Sequence, residues 1–249
     1  MALNQDYCIL LCTFRGATYC LPPLIRHGLD PAPILSKVSA VFHQMNKPVV
    51  FRAIPASMLS YFPKDKYKII PEREIWDYLY YTKDLIELRG RKYQQKRNHI
   101  NRFRQYYRFS YNSFSPEDIP GCIEIYQQWA ADKNTTPEIE EERLALKEAL
   151  ENFSALSLKG GVIRVEGKVQ AFAIGSRLNK DTALIHFEKA NPEFSGIYAA
   201  INQFFVKKEW PDTKYINRED DMGIPGLRQS KKRYHPLRMI EKYLVVEGS

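Results

Sequence analysis

The stretch ALIHFEKANPEFSGIYAAINQFFVKKEW, residues 183–210, places two elements in an order that is informative about the fold. Residues 183–190 are a largely apolar run of strand length that ends in charged residues, and residues 196–210 space their apolar side chains as a helix does. The helix begins at Gly196, where the missing side chain allows a sharp change of backbone direction. A buried strand followed by a glycine-led helix is therefore the central prediction.

The segments on either side of this pair continue an alternation of helices and strands. Upstream the pattern predicts two helices and then a hairpin whose two-residue loop, Glu166-Gly167, suits a turn with positive φ. Downstream it predicts a strand that ends in charges, a short basic helix and a last strand. The predicted ranges are helices 116–132 and 137–153, strands 161–165 and 168–177, strand 214–220, helix 226–234 and strand 239–246. This is the element order of the Gcn5-related N-acetyltransferase fold.

The first half repeats part of this order. A hairpin around Arg15-Gly16 precedes a helix at 34–45, strands at 48–54, 67–70 and 76–81, and a short helix at 56–62. Both halves share E-x-x-G, as Glu87 to Gly90 and as Glu193 to Gly196. We therefore expect an α/β (α+β) protein with tandem acetyltransferase-like domains, each a mixed twisted sheet flanked by helices. The expected domains are 1–111, which lacks its opening helices, and 112–249.

The stretch ELRGRKYQQKRNHINRFRQYYR, residues 87–108, carries eight Lys or Arg and no acid after Glu87. It reads as one helix that starts after a glycine, where free N–H groups and cationic side chains would both meet phosphate oxygens. A solvated basic helix face is the alternative, although helices normally pair such charges four residues apart. The candidate phosphate-binding residues here are Gly90, Arg91, Lys92, Tyr93, Lys96 and Arg97.

Composition narrows the class of protein. With 44% apolar residues the chain has ample material for a globular core, and its net charge of +8 favours a polyanionic partner, which is nucleic acid, a nucleotide cofactor or an anionic membrane face. No run approaches the ~18 apolar residues that span a bilayer, and no basic leader precedes the first apolar segment. We expect a cytoplasmic protein without a transmembrane segment. The four cysteines have no metal-binding spacing, so reduced thiols and no metal are expected.

Several sequence blocks together resemble a known bacterial family, the phosphatidylglycerol lysyltransferase C-terminal-like proteins. The blocks are LRGRKYQQKRN (88–98), AFAIG (171–175), HFEKA (186–190), GIYAAIN (196–202), NREDDMG (217–223) and GLRQSKKRYHP (226–236). The resemblance implies a tandem pair of acetyltransferase-like domains, related also to Fem-type ligases that transfer amino acids from aminoacyl-tRNA. Membrane-anchored relatives lysinylate phosphatidylglycerol and carry an integral membrane portion, which this sequence lacks.

Acyl transfer needs a base, donors for an oxyanion and at times an acid for the leaving group. Glu188, at the end of an apolar strand, suits a base or a binder of a substrate ammonium, with a structural pair to Lys189 or Arg218 as the alternative. The cluster Arg218, Glu219, Asp220 and Asp221 would bind a cationic amino group or would simply be solvated.

Other candidate catalytic groups lie near the C-terminus. Lys231 and Tyr234 lie three residues apart on a predicted helix. Lys231 would polarise a carbonyl or bind phosphate, and Tyr234 would protonate a leaving group. His186, on an apolar strand, is more often a core histidine. No Ser-His-Asp or Cys-His arrangement emerges from the sequence, which disfavours a covalent enzyme intermediate.

The resemblance also implies a phosphate site at the glycine-led helix of the second half. In acetyltransferases the backbone N–H groups of this helix start receive the pyrophosphate of coenzyme A. Gly196, Ile197 and Tyr198 occupy this place here, with a bulky Tyr198 where a small residue would let phosphate approach. Gly90 and its cationic neighbours are the second candidate.

Two functional hypotheses follow. The first is an acyl or aminoacyl transferase that uses coenzyme A, as acyl-CoA, or a charged tRNA as its donor and an amine or hydroxyl as its acceptor. The second is a noncatalytic module that binds nucleic acid or an anionic membrane surface through 89–108 and 228–238, where Tyr93, Phe103 and Tyr106 interleave the charges. Only the first hypothesis requires Glu188 and the cluster that begins at Arg218.

Overall fold

The computed structural model describes residues 2–14, 16–131, 133 and 136–248. The strands are β1 (Ala2–Leu3), β2 (Tyr7–Ile9), β3 (Leu11–Phe14), β4 (Ala17–Cys20), β5 (Leu24–Ile25), β6 (Val50–Pro55), β7 (Tyr67–Pro71), β8 (Asp77–Tyr81), β9 (Phe109–Ser113), β10 (Lys159–Val165), β11 (Lys168–Asn179), β12 (Thr182–Ala190), β13 (Tyr215–Asn217), β14 (Arg238–Ile240) and β15 (Lys242–Glu247). The α-helices are α1 (Ala32–Gln44), α2 (Thr82–Glu87), α3 (Gln94–Tyr106), α4 (Ile119–Ala131), α5 (Pro137–Glu151), α6 (Ile197–Glu209) and α7 (Pro225–Lys232). Short 3-10 helices cover Ala56–Tyr61, Arg73–Ile75, Arg91–Tyr93 and Pro116–Asp118.

The chain forms two compact units. The first contains residues 1–77, 220–228 and 239–249, and the second contains residues 78–219 and 229–238. These units differ from the predicted halves 1–111 and 112–249, because β8 pairs with β13 and so carries residues 78–111 into the second unit, while β15 pairs with β6 and β7 in the first. Strand pairing between distant segments, which no local pattern records, sets this division.

The first unit is built on a five-stranded sheet in the order β3-β4-β6-β15-β7, with a small sheet in the order β1-β2-β5. The apolar residues of α1 recur every three or four positions and bury Ile34, Val38 and Phe42 in its core. Three aromatic rings, Phe51, Phe62 and Tyr67, meet edge to face there with centroids 5.1–6.4 Å apart. The predicted hairpin exists as β3 and β4, and Arg15 of its loop lies outside the described residues.

The second unit carries a mixed sheet in the order β8-β13-β12-β11-β10-β9. Its neighbours are antiparallel except β12 and β13, which run parallel and are joined by α6, as a parallel connection requires. Phe172, Ile174 and Phe187 pack in one cluster with residues of α4 and α5. The opposite face of the sheet lies against α6, whose Asn202 reaches Glu188 of β12.

The turn chemistry of the second unit follows the sequence closely. Glu166 and Gly167, with φ of 52° and 81°, form the two-residue loop between β10 and β11, as predicted. Gly196 precedes α6 with φ of 92°, and a Cβ atom there would lie 2.1 Å from the carbonyl oxygen of His99 in α3. Glycine at this position therefore lets two helices approach closely.

Several predicted elements are corrected by the structure. Residues 87–108 are not one helix: α2 ends at Glu87, Leu88 is left-handed with φ of 48°, and α3 begins only at Gln94 after a 3-10 turn. The hydroxyl of Thr82, the first residue of α2, lies 3.1 Å from that of Thr213. The segment predicted as helix 56–62 is a 3-10 helix, and the strand predicted to reach residue 220 ends at Asn217.

None of the helices within 2–14, 16–131, 133 and 136–248 is long and apolar enough to cross a membrane. The same residues contain no group of three or more His, Cys, Asp or Glu side chains placed to hold a metal ion.

Candidate active site of the second unit

Glu188 and Arg218 form a largely buried ion pair on the α6 face of the sheet. Glu188 points from β12 and Arg218 follows the end of β13, and parallel pairing of these strands brings the two side chains together. The guanidinium Nη2 donates to Glu188 Oε1 at 2.9 Å, and Asn202 Nδ2 of α6 donates to Oε2 at 2.8 Å. The side chains of Glu188 and Arg218 are only 13% and 10% exposed. Glu188 thus pairs with Arg218, one of the two partners that the sequence suggested for it.

Two buried polar atoms of this cluster have no hydrogen-bond partner among the residues that the structure describes. They are Nη1 of Arg218, a donor, and Oδ1 of Asn202, an acceptor. A buried polar atom without a partner costs about 1–3 kcal/mol, and such atoms are rare in folded proteins. The cluster therefore has unused capacity for one acceptor and one donor group of a ligand.

Two cations lie against the ring of Tyr234. The guanidinium of Arg218 is 4.8 Å and the ammonium of Lys96 is 3.8 Å from the ring centroid. Burial, reinforced by the charge of Arg218, lowers the pKa of Lys96 to about 8, while Glu188 acts in the opposite direction. Burial also raises the pKa of Tyr234 above its ordinary value. Lys96 is therefore an amine that exchanges its proton near neutral pH, and Tyr234 stays a neutral phenol.

Lys231 is hydrogen-bonded to the backbone of this cluster. It is 8% exposed, and its ammonium donates to the backbone carbonyl of Arg218 at 2.6 Å. The hydroxyl of Tyr80 donates to the carbonyl of Lys231 at 2.8 Å, and the hydroxyl of Tyr93 donates to that of Tyr234 at 3.0 Å. These bonds hold the backbone that carries Arg218 and Tyr234, and one hydrogen bond of the Lys231 ammonium goes to a backbone carbonyl of the protein.

The three acids after Arg218 have different hydrogen-bond and ion-pair partners. Glu219 accepts a hydrogen bond from His186 Nδ1 at 3.0 Å in the second unit. Asp220, in the first unit, accepts from the backbone N–H of Met222 at 3.0 Å. Asp221, also in the first unit, is fully buried and paired with Arg228. Each of the three carboxylates therefore has its own partner within the protein.

The basic stretch that begins at Gly90 is partly used within the protein. Arg97 donates from Nη1 to the carbonyls of Leu88 and Gly90, which closes the turn before α3. Lys92 lies 3.7 Å from a carboxylate oxygen of Asp84. Arg91 is exposed, and the left-handed Gly90, with φ of 85°, faces open space. Of the cations in this set, Arg91 and Lys92 are exposed, as phosphate binding requires, and Lys92 is the one that lies near an acid.

The start of α6 is less open than its sequence suggested. The N–H of Ile197 donates to the carbonyl of Phe194 at 3.0 Å, and Ile197 itself is buried. Gly196 is packed against the backbone of α3, as described above. Tyr198 is 37% exposed, and burial of its ring raises the pKa of its hydroxyl, which lies beside the backbone of Ala190.

Sequence reasoning missed two features. Asn202, inside the block GIYAAIN, was not recognised as a partner of Glu188, although helical spacing from Gly196 directs it toward the sheet. A line of hydrogen bonds from Ser176 through His186 to Glu219 was also missed, with distances of 2.9 and 3.0 Å. The sequence indicated no Ser-His-Asp arrangement, whereas here a glutamate completes such a line, and its members come from β11, β12 and the residues after β13.

Comparison with known proteins identifies relatives along the whole chain. The family model for phosphatidylglycerol lysyltransferase, C-terminal, matches residues 2–246. A conserved protein of unknown function from Bacteroides thetaiotaomicron is 32% identical, with a TM-score of 0.91 over 99% of this chain and 85% of its own. An uncharacterized protein, MYCGA3080, of Mycoplasmoides gallisepticum is 28% identical over 186 residues. That match covers 73% of this chain and 60% of the relative, so the chain spans less than two thirds of it.

More distant structures confirm the fold class. L-PGS from Bacillus licheniformis has a TM-score of 0.72 at 15% identity, over 97% of this chain and 81% of its own. A tandem GNAT protein from the clavulanic acid biosynthesis pathway has a TM-score of 0.52 at 8% identity, over 98% of this chain and 80% of its own. The predicted tandem acetyltransferase-like fold of mixed sheets and helices is thus confirmed.

Proposed function

The chain belongs to the phosphatidylglycerol lysyltransferase C-terminal family, and we propose that it is an aminoacyltransferase that takes its aminoacyl group from a charged tRNA. Family membership supports a transferase role. The acceptor in this proposal is a hydroxyl or an amine, with the glycerol hydroxyl of phosphatidylglycerol as the first to test.

The observation that carries the choice of donor is the pair of unpartnered atoms beside Glu188. An aminoacyl ester presents a carbonyl oxygen, which accepts hydrogen bonds, next to an ammonium, which donates them. The free Nη1 of Arg218 and the free Oδ1 of Asn202, counted among the described residues, match these two groups in kind. An acetyl group offers only the carbonyl. The cluster therefore fits an aminoacyl group better than a simple acyl group.

Charge supports the same assignment. The carboxylate of Glu188 accepts one bond at each oxygen from Arg218 and Asn202, which leaves it lone pairs for a substrate ammonium. The guanidinium of Arg218 would stabilise the negative charge that develops on the carbonyl oxygen during attack. Because both groups are largely buried, their interactions with a substrate are screened less than those of surface charges.

Lys96 is the group we assign to proton transfer. With its pKa lowered to about 8, a useful fraction of its amine is neutral near pH 7.5. It would accept the proton of the attacking hydroxyl or amine as the new bond to the carbonyl carbon forms. The bond to the ribose oxygen then breaks, and the Lys96 ammonium returns a proton to that oxygen. No enzyme-bound acyl group is needed for this transfer.

The donor's nucleic acid suits the charge of the chain. A net charge of +8 and the exposed Arg91 after Gly90 favour contact with several phosphates. Coenzyme A is the second donor we consider, because Gly196 opens α6 as the resemblance to acetyltransferases implies. Coenzyme A is less favoured than tRNA, because Gly196 packs against His99 and because Tyr198 is bulky.

Calorimetry with four ligands tests the proposal. The titrants are lysyl-tRNA with a non-hydrolysable amide link, the deacylated tRNA, coenzyme A and acetyl-CoA, each between about 50 and about 200 mM salt. We expect tRNA to bind with a steep salt dependence and more tightly when it is lysylated. Tight acetyl-CoA binding with a shallow salt dependence would replace our donor with coenzyme A.

The same titration tests the noncatalytic alternative. Binding of tRNA that ignores the lysyl group, in the native protein and in Glu188→Gln alike, would support a binding module instead of a transferase. Absence of binding to all four titrants would overturn both the proposal and the nucleic-acid form of that alternative.

A further inference from the structure

Ser176, His186 and Glu219 form a continuous hydrogen-bonded line in the second unit. The hydroxyl oxygen of Ser176 is 2.9 Å from Nε2 of His186, and Nδ1 of the same ring is 3.0 Å from Oε1 of Glu219. Both distances lie within the range of direct hydrogen bonds. The three side chains come from β11, β12 and the residues after β13.

The line has the polarity that activates a hydroxyl. A carboxylate only accepts hydrogen bonds, so Glu219 fixes the imidazole proton on Nδ1. Nε2 is then left with its lone pair directed at the hydroxyl of Ser176, which donates to it. This is the order of carboxylate, imidazole and hydroxyl by which serine nucleophiles are activated.

The backbone around His186 is irregular at the position where the line requires it. Ile174 pairs with Phe187 and the next residue, Gly175, pairs with Ile185, so His186 is an extra residue on β12. Such β-bulges redirect a side chain and occur often beside active sites. Glu219 has a left-handed backbone with φ of 53°, a strained state for a residue other than glycine, and its N–H donates to Asn217.

The line is distinct from the Glu188 cluster. Along β11, Ser176 continues the alternation of Phe172 and Ile174, which pack with α4 and α5. Glu188 instead contacts Asn202 of α6, on the other face of the sheet. His186 and Glu219 remain 28% and 40% exposed, so small molecules can reach the line.

We propose that Ser176, His186 and Glu219 form a second reactive centre, in which Ser176 is a nucleophile toward small carboxylic esters. Oγ of Ser176 attacks the ester carbonyl while its proton moves to Nε2 of His186. The bond to the alcohol oxygen breaks, and His186 returns the proton to the leaving alcohol. Water then attacks the acyl-serine by the same route and releases the acid. The centre does not depend on the proposed aminoacyl transfer.

The direct test is reaction of the native protein with an ethoxy fluorophosphonate probe. Attack by Ser176 forms an oxygen–phosphorus bond and releases fluoride, and peptide mass spectrometry locates the label. We expect labelling at Ser176, and p-nitrophenyl acetate hydrolysis that the label abolishes. Because the native chain is mapped, the result does not require that any variant fold.

Variants separate reactivity from a structural role. Ser176→Ala removes the label, and His186→Gln slows labelling by about 100-fold or more, since it removes the base. Ser113→Ala is the matched control, because Ser113 donates to Glu209 at 2.7 Å without a histidine between them. Its labelling and hydrolysis should equal those of the native protein.

Three results would overturn the proposal. They are an unlabelled native protein, a label on another serine, and labelling of Ser176 at an unchanged rate in a folded His186→Gln variant. Loss of lysyl-tRNA binding, in contrast, would leave this centre untouched, so the two proposals fail independently.

Discussion

Each compact unit contains a buried carboxylate–guanidinium pair, and the two pairs differ in how fully their polar atoms are bonded. In the first unit, Asp221 is fully buried; its oxygens accept bonds from Nε and Nη2 of Arg228 at 2.9 Å, from Nη1 of Arg73 at 3.2 Å and from the N–H of Gly223 at 3.0 Å. In the second unit, the pair of Glu188 and Arg218 leaves Nη1 without a partner among the described residues.

The comparison shows that burial of charge does not by itself indicate a functional site. The Asp221 pair uses every direction of its carboxylate within the protein, as a structural ion pair does. The Glu188 pair leaves a donor and, through Asn202, an acceptor unused. Free hydrogen-bonding capacity in a buried place is what distinguishes a site prepared for a ligand.

The largest expected effect is on the pair of Asp221 and Arg228, which we call the closed pair. Asp221→Asn removes the charge that compensates two arginines, and we expect the free energy of unfolding to fall by about 3 kcal/mol. Urea denaturation measures it. Asp30→Asn is the control, because Asp30 is exposed and its amide oxygen can still accept the bond from the N–H of Ala32, and it should change stability by less than about 0.5 kcal/mol. Equal stability of both variants would show that the closed pair has no structural role.

The next effect concerns the pair of Glu188 and Arg218, which we call the open pair. Glu188→Gln removes the charge that we assign to the substrate ammonium, so affinity for lysyl-tRNA should fall by roughly 30-fold while affinity for deacylated tRNA stays constant. Fluorescence anisotropy measures both. Glu142→Gln makes the same change in a carboxylate 2.8 Å from Lys189 and serves as the control. An equal loss for both tRNAs would place Glu188 outside the aminoacyl site.

A smaller effect concerns the ammonium beside the open pair. The titration midpoint of Lys96 should lie near pH 8, because burial and Arg218 lower its pKa. Below the midpoint the amine is protonated, so the neutral fraction rises about tenfold between pH 7 and pH 9, and a rate that depends on it rises likewise. The ¹³Cε shift follows the titration, and Lys96→Arg identifies the signal. A midpoint near 10.5 would remove Lys96 as the proton acceptor.

The smallest effect is at the surface. Arg91→Gln should weaken tRNA binding by about threefold and reduce the salt slope by about one, whether or not the tRNA is charged. Lys64→Gln removes an equal exposed charge from the first unit and should leave the slope unchanged. If Arg91→Gln has no effect, the start of α3 does not contact phosphate, and the open pair is reached by a donor held elsewhere.

The sequence predicted those features that depend on neighbours along the chain. The two-residue loop at Glu166-Gly167 and the glycine before α6 follow from backbone conformations that few other residues adopt. The tandem acetyltransferase-like fold followed from element order and the family blocks. The pairing of Glu188 with Arg218 was one of two stated interpretations, and it followed from placing both at the ends of neighbouring strands.

Features that depend on strand register could not be predicted from neighbouring residues along the chain. Ser176 meets His186 only because of the bulge after Ile185, and no sequence pattern marks a bulge there. The strand that was predicted to reach residue 220 ends at Asn217, and Glu219 has a left-handed backbone, which no local sequence pattern indicates. Arg97 reads as a phosphate ligand in sequence, whereas the left-handed turn at Leu88 gives it two backbone carbonyls to bind.

The most direct test of the account is the ratio of the dissociation constants of deacylated and lysylated tRNA, measured in the native protein, in Arg218→Lys and in Arg228→Lys. Lysine keeps the charge of Arg218 but not the fork that supplies Nη1. We predict a ratio of at least about ten in the native protein and in Arg228→Lys, and a ratio near one in Arg218→Lys. Equal affinity for the two tRNAs in the native protein, or an unchanged ratio in Arg218→Lys, would contradict it.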